Sequence, residues 1–356
     1  MKREEHVVNE TFSYRYPGKD ADHAILIQHG IASHGGIYDS FCAHHASHGV
    51  DVWSMDAPGH GRSVNMRPPG RFSIEEWVDD AVALGEHIGE TTGLPVFIKG
   101  SSLGAAAAYC ALQASDAFRG AILMGYAIPS APLIPNPNPF RSEAFEQIDA
   151  LFGDKLLLSL DRFINFDEDY GYVGASEQKK ADPLNTWYYE LRAFASFFRY
   201  DPVVPISQNT KPIFYTVGER DTTFGPAVAK MVADATGGPV ELYVHPDGMH
   251  QLMLSHTAAY SDVVLEWCRR QAKYSLQHPS SAQLPRSSTH DDHPAPARRE
   301  PSRAKHTRHE GTARILVRCS RLSVTRAVLH AWRRGRVPRL RRTGTGELRG
   351  VRPAPR

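Results

Sequence analysis

Ser102 stands at the centre of Gly100-Ser101-Ser102-Leu103-Gly104, with the apolar run 94–98 before it and the alanine-rich run 105–110 after it. A strand-like segment meeting a helix-like one at G-x-S-x-G is the pattern of a nucleophile elbow. The tight turn lifts a serine hydroxyl clear of a sheet, and small residues beside it let the backbone bend without Cβ clashes. The hydroxyl needs a base within hydrogen-bond reach and a third group to orient that base; in this architecture the acid precedes the histidine along the chain. Asp221, in Val217-Gly218-Glu219-Arg220-Asp221, and His250, in Pro246-Asp247-Gly248-Met249-His250, supply both in that order. The chemistry expected is acyl transfer. His250 takes the proton of Ser102, Ser102 attacks an ester or amide carbonyl, Asp221 stabilises the imidazolium, and water releases the acyl group.

Neighbouring residues compete for these roles. Glu219 and Asp247 are alternative acids, but Asp221 holds the strand-end position that the acid takes. His245 ends a strand and His256 lies near the start of a helical stretch, so both read as structural or surface histidines. The G-x-S-x-G frame puts Ser102, not Ser101, at the apex. An oxyanion needs backbone N–H donors; these are expected from Leu103, directly after the nucleophile, and from Ile31, in the loop after residues 24–27. His29 reads as a hydrogen-bonding prop that shapes this loop.

The elements that must position these residues follow from the apolar pattern. An edge strand is expected over 12–16, and further strands over 24–27, 50–55, 121–124, 212–217 and 240–244. Helices are expected over 37–47, 74–88, 226–235 and 259–273, with Ser73 and Glu76 forming a capping box. Strands separated by helices predict an α/β class with a mainly parallel sheet flanked by helices. Residues 128–207 break this rhythm. They open with a proline-rich passage from Pro129 to Pro139 and continue with helix-like segments carrying Phe145, Phe152, Phe163, Phe166, Tyr170, Trp187, Tyr188, Tyr189, Phe194, Phe197 and Phe198. Such an insertion either covers a site as a lid or packs its rings into a small core of its own. The expected organisation is a core in 1–127 and 208–275, a helical lid in 128–207 and a tail in 276–356.

A net charge of +2 conceals a split within the 356 residues. Residues 276–356 hold 19 Lys and Arg against 5 Asp and Glu, which leaves 22 against 34 in the body: a basic tail of net +14 on an acidic body of net −12. Up to residue 310 the tail is rich in Pro, Ser, His and Arg, which predicts disorder. Residues 315–332 interleave apolar residues with arginines and fit a basic amphipathic helix on nucleic acid or an anionic membrane. The plainer expectation is a functionally neutral tail, whether genuine or read from a shifted frame. No apolar stretch approaches the roughly 18 residues of a membrane span, so the protein is expected to be cytoplasmic. Cys42, Cys110, Cys268 and Cys319 are scattered without a C-x-x-C pair and read as reduced thiols. No metal or cofactor is expected, and no stable protein partner.

These residues join His29-Gly30, His34-Gly35-Gly36, Tyr38 and the run Asp56-Ala57-Pro58-Gly59-His60-Gly61-Arg62-Ser63. The whole resembles the α/β-hydrolase superfamily, in its monoglyceride lipase, lysophospholipase and serine aminopeptidase-like branch, over residues 10–274. The resemblance implies an α/β-hydrolase fold with an inserted lid and a cofactor-independent hydrolase of small-molecule carboxylic esters, and the aromatic insertion suggests an apolar acyl or alcohol moiety. Two positions depart from the branch: Ser101 stands where a histidine often precedes the nucleophile, and Ser33 where the early loop often carries an acid. Serine at the elbow separates the chain from epoxide hydrolases and dehalogenases, which need an aspartate there. The rival enzyme is an amidase or aminopeptidase, with Asp161, Asp167, Glu168 or Asp169 receiving a substrate ammonium, although such carboxylates more often form a solvated helix face. A non-catalytic hydrolase-fold binder is the remaining reading, and a binder has no need of Ser102, Asp221 and His250 together.

Overall fold

A strand covered on both faces must be largely apolar, and its alternate residues must feed two separate cores. The strand His23–Gln28 does this: Ala24 and Leu26 join a cluster with Trp77 and Ile98, while Ile25 and Ile27 join another with Phe41, Phe97 and Trp267. The computed structural model describes residues 2–125, 138–162 and 164–277, and the short strands Leu340–Arg342 and Leu348–Gly350. Strands β1 (Glu4–Val8), β2 (Thr11–Tyr16), β3 (His23–Gln28), β4 (Val50–Met55), β5 (Val96–Ser101) and β6 (Phe118–Met124) precede the insertion. The insertion holds the pair β7 (Leu157–Ser159) and β8 (Tyr188–Glu190), and β9 (Ile213–Gly218) and β10 (Val240–His245) follow it. The main sheet runs in the order β1-β2-β4-β3-β5-β6-β9-β10. Only its β1–β2 and β2–β4 pairings are antiparallel.

Residues 12–16, expected at the edge, are paired on both sides instead. The edge is β1, whose Glu-Glu-His-Val-Val sequence is mostly exposed and carries no apolar pattern to announce it. The helices are α1 (Asp39–Ser47), α2 (Ile74–Thr92) and α3 (Leu103–Ala114), then α4 (Glu143–Phe152), α5 (Phe166–Tyr170), α6 (Ala175–Ala181) and α7 (Leu191–Arg199) in the insertion, then α8 (Pro226–Ala235), α9 (Leu252–Ser255) and α10 (Thr257–Gln277). The helix expected from residue 37 starts at Asp39, because Gly35–Tyr38 forms a tighter 3-10 turn capped by the His34 ring. The capping box at α2 is present. Ser73 Oγ accepts the Glu76 N–H at 3.2 Å, and Glu76 accepts the Ser73 N–H at 2.8 Å.

The insertion is fastened to the core by rings and by polar ties. Tyr189 and Phe197 meet Phe72 edge-on at 5.0 and 5.9 Å, and Phe197 meets Trp77 at 5.5 Å. Arg71 pairs with Glu190 at 2.5 Å, and the Ile74 N–H reaches Ser196 Oγ at 3.0 Å. Of the insertion's rings, Phe166, Tyr189 and Phe197 join the core cluster that holds Trp77, while Phe152 and Tyr188 are more than half exposed.

The chain divides into two compact units, Met1–Gln283 and Leu284–Arg356. In the second, Leu340–Arg342 pairs antiparallel with Leu348–Gly350. The proline-rich passage up to residue 137, Phe163, Cys319 and the basic run 315–332 lie outside the described residues. Cys42, Cys110 and Cys268 are free and buried. Among the described residues no helix is long and apolar enough to cross a membrane.

Candidate active site

Strand β5 ends at Ser101 and α3 begins at Leu103, so Ser102 alone makes the turn, at φ 52° and ψ −120°. A residue with a side chain is costly in this region and persists only where its surroundings impose it. Here the Ser102 N–H is bonded to the Met124 carbonyl at 2.8 Å, and the Ser102 carbonyl accepts the Ala105 N–H at 2.8 Å. The flanking glycines are required by close approach. A Cβ on Gly100 would stand 2.3 Å from the Gly104 carbonyl oxygen, and one on Gly104 would stand 2.2 Å from that of His29. Ser101 is buried and donates its hydroxyl to Gln251 Oε1 at 3.1 Å, so it is spent on structure.

The acid and the histidine arrive on neighbouring parallel strands. Val244 of β10 is paired with Val217 of β9 and His245 with Gly218, which carries the two following loops to the same end of the sheet. His250 Nδ1 lies 2.8 Å from Asp221 Oδ2, with both side chains buried. Asp221 Oδ1 accepts the N–H groups of Thr223 and Phe224 at 2.8 and 2.9 Å. Burial alone would raise the Asp221 pKa, but the His250 hydrogen bond and charge and these two amides hold it below the ordinary carboxylate value. Burial alone would likewise lower His250. The Asp221 hydrogen bond and the charges of Asp169 and Asp221 outweigh it, and the imidazole titrates above its ordinary 6.5. The rivals are elsewhere: Glu219 and Asp247 are exposed, and His245 packs on His256 with ring centroids 4.2 Å apart.

The end of β6 touches both halves of the site. Met124 receives the Ser102 N–H, and the His250 ring lies against the next residue, Gly125, whose φ is +57° and on which a Cβ would stand 2.5 Å from His250 Cε1. Beside Ser102 is a small pocket lined by Gly30, Ile31, Ser33, Tyr38, Phe166, Asp169, Tyr170 and Gln251. Among the described residues no backbone carbonyl accepts the N–H of Ile31 or of Leu103. His29 is fully buried and props the loop before Ile31. Its Nδ1–H donates to the Gly30 carbonyl at 2.8 Å, and its Nε2 accepts the Ala57 N–H at 3.1 Å. Burial and the neighbouring His60 push its pKa well below the ordinary value, so the ring is neutral. Asp56 joins the two glycine-rich runs, accepting the N–H of Gly35 at 2.6 Å and of Arg62 at 2.7 Å.

Three further residues stand around the site, and of these Tyr189 has no signal in the sequence that sets it apart from the insertion's other rings. Tyr189 accepts the Ala32 N–H at 3.0 Å, next to Ile31. Ser33 Oγ is buried in the pocket wall and has no hydrogen-bond partner among the described residues. Asp169 is buried beside Ser102; its carboxylate accepts the Thr223 hydroxyl at 2.7 Å, its carbonyl accepts the His250 N–H at 3.3 Å, and burial raises its pKa. The other insertion carboxylates weighed with it are placed differently. Asp161 faces Lys180, Asp167 accepts the N–H groups of Gly174 and Ser176, and Glu168 is exposed.

The family described as serine aminopeptidase, S33 (Hydrolase_4) matches residues 19–256. A monoglyceride lipase homologue of monkeypox virus is 32% identical over 152 residues, which are 42% of this chain and 54% of that relative. The chain thus spans about half the length of the curated relative it matches. Among solved structures, a thermostable carboxyl esterase of Bacillus coagulans aligns with a TM-score of 0.64 at 17% identity, over 76% of this chain and 98% of the esterase. A soluble variant of the monoglyceride lipase of Saccharomyces cerevisiae aligns with a TM-score of 0.61 at 16% identity, over 76% and 95%. At such identities the likeness is one of fold.

Proposed function

Because the chain belongs to the serine aminopeptidase S33 family of the α/β-hydrolase fold, we propose that it is a serine hydrolase of carboxylic esters working through Ser102, His250 and Asp221. The observation that carries this reading is the buried 2.8 Å hydrogen bond from His250 to Asp221, taken together with a serine held at φ 52° at the elbow. His250 accepts the Ser102 proton as Oγ bonds to the ester carbonyl carbon, and the charge on the carbonyl oxygen falls to the N–H groups of Ile31 and Leu103. The C–O bond to the alcohol then breaks and His250 returns the proton to it. Water repeats the sequence on the acyl-enzyme. The names of the relatives, a monoglyceride lipase homologue, a monoglyceride lipase and a carboxyl esterase, favour esters. Phe166 and Tyr170 in the pocket wall suit an apolar moiety.

Asp169 favours a second reading. A carboxylate beside the nucleophile suits the ammonium of an aminoacyl substrate, and the activity is then that of an amidase or aminopeptidase. A fluorophosphonate probe followed by a panel of 4-nitrophenyl esters and aminoacyl anilides tests both readings. Labelling lost in Ser102→Ala, with esters preferred, is the expected result. Full esterase activity in that variant overturns the mechanism, and a strong preference for anilides promotes the second reading.

A further inference from the structure

Next to the pocket at Ser102 lies a larger cavity of about 440 Å³, whose wall includes Ile37, Tyr172, Lys179, Asn185 and Leu254. Tyr170 and Gln251 line both spaces, so they are the partition between them. Lys179, on α6, is only 6% exposed. An ammonium carries three donors, yet among the described residues its Nζ has one hydrogen-bond partner, Asn185 Oδ1, at 3.5 Å. The rings of Phe166 and Tyr170 lie 5.0 and 6.0 Å away.

The nearby carboxylates are engaged elsewhere. Asp182, the acidic residue of the cavity wall, accepts from His34 Nε2 at 2.8 Å and from the Leu184 N–H at 2.9 Å. Asp169 is held by Thr223 on the Ser102 side of the partition. Burial pulls the Lys179 pKa down to about 7, against the opposing charges of Asp182 and Asp169. Among the described residues no carboxylate lies in ion-pair contact with this ammonium, and the space in front of it is large enough to admit an anion.

We propose that this cavity is a subsite for an anionic group, carboxylate or phosphate, carried on one arm of the ester whose carbonyl sits at Ser102. The inference rests on the reading of Ser102 as nucleophile. The charges also set the direction of the substrate: Asp169 repels an anion from the Ser102 pocket, and Lys179 attracts it past Tyr170 and Gln251. Apolar atoms of Ile37 and Leu254 cover the chain that bears it.

Two matched pairs of esters test this, one for each arm. On the acyl side, 4-nitrophenyl pentanoate is compared with the 4-nitrophenyl half-ester of glutaric acid, which replaces the terminal methyl by a carboxylate. On the alcohol side, a monoacylglycerol is compared with the same acyl ester of glycerol phosphate. In at least one pair the anionic ester should have the higher kcat/KM, through a lower KM. Lys179→Met should cut that preference about 10- to 100-fold, and Lys179→Arg should restore part of it. Neutral esters preferred in both pairs, or a preference indifferent to Lys179→Met, overturns the subsite. Should the Met variant fail to fold, the wild-type comparison decides alone. If no ester is hydrolysed, the reading of Ser102 falls, and calorimetric titration of Ser102→Ala with the two anionic esters still tests the cavity: absence of binding there overturns it.

Discussion

The Tyr189 hydroxyl donates to His60 Nε2 at 2.5 Å while accepting the Ala32 N–H at 3.0 Å, so one insertion side chain holds two core loops at once. His60 is committed by its other nitrogen, which donates to the Pro58 carbonyl at 2.9 Å, and burial lowers its pKa to about 4. Ala32 sits at φ 51°, a strained conformation for alanine. The bond to Tyr189 therefore fixes the peptide that follows Ile31, one of the two proposed oxyanion donors.

Tyr189→Phe leaves both partners buried and unsatisfied. It should lower stability by about 2 kcal/mol in urea unfolding and reduce kcat more than it raises KM. A variant of wild-type kcat would show that the Ile31 N–H is placed without the insertion.

Asp221→Asn keeps the volume of the side chain but removes the charge that holds the His250 tautomer. A fall in kcat of about 10³- to 10⁴-fold is expected from such a change, with the fold retained by circular dichroism. A loss below tenfold would return Glu219 or Asp247 to consideration.

The pH profile carries its own sign. As the proposed base His250 must be neutral, and its pKa is raised above 6.5, so kcat/KM should fall as pH drops through a midpoint above that value. Asp221 contributes most to the rise and the Asp169 charge adds to it. Asp169→Asn should therefore move the midpoint to lower pH. A midpoint that stays or moves upward would mean that Asp169 does not act on the imidazole.

Lys99 offers a test of the core. It is fully buried on β5, with Nζ 2.6 Å from the Tyr260 hydroxyl, which in turn lies 2.6 Å from Thr216 Oγ1. Burial lowers its pKa from 10.5 to about 7. The unfolded chain thus binds this proton more tightly, and stability contributed by Lys99 rises as pH climbs from about 7 towards 10.5. In Lys99→Met that rise should be missing when urea midpoints at about pH 7 and about pH 9.5 are compared. Equal rises in the two proteins would show that Lys99 keeps its proton when folded.

How far the site is legible in the chain depends on what holds each residue. Ser102, Asp221 and His250 each follow an apolar run by a short step, so the residues that build the strand also announce the group near its end. Tyr189 and Asp169 come from the insertion, and Tyr189 meets partners 157 and 129 residues away, where nothing local records the pairing. Edge strand β1 is silent for another reason: with one neighbour and mostly exposed side chains it needs no apolar alternation. The rings of the insertion look alike in sequence, and only packing against Phe72 and Trp77 separates Tyr189 and Phe197 from the exposed Phe152 and Tyr188.

At the elbow, the main chain of Gly100, Gly104 and His29 passes so closely that only hydrogen fits at the two glycines. The turn is thus a socket cut by backbone alone, and the side chain at position 102 is its interchangeable tool. Cysteine or alanine can be mounted there without recutting the socket, whereas alanine at position 100 or 104 spoils it with Ser102 still in place. Drift in the chemistry of this protein therefore has an open route through one side chain, while the turn that carries it is closed to change.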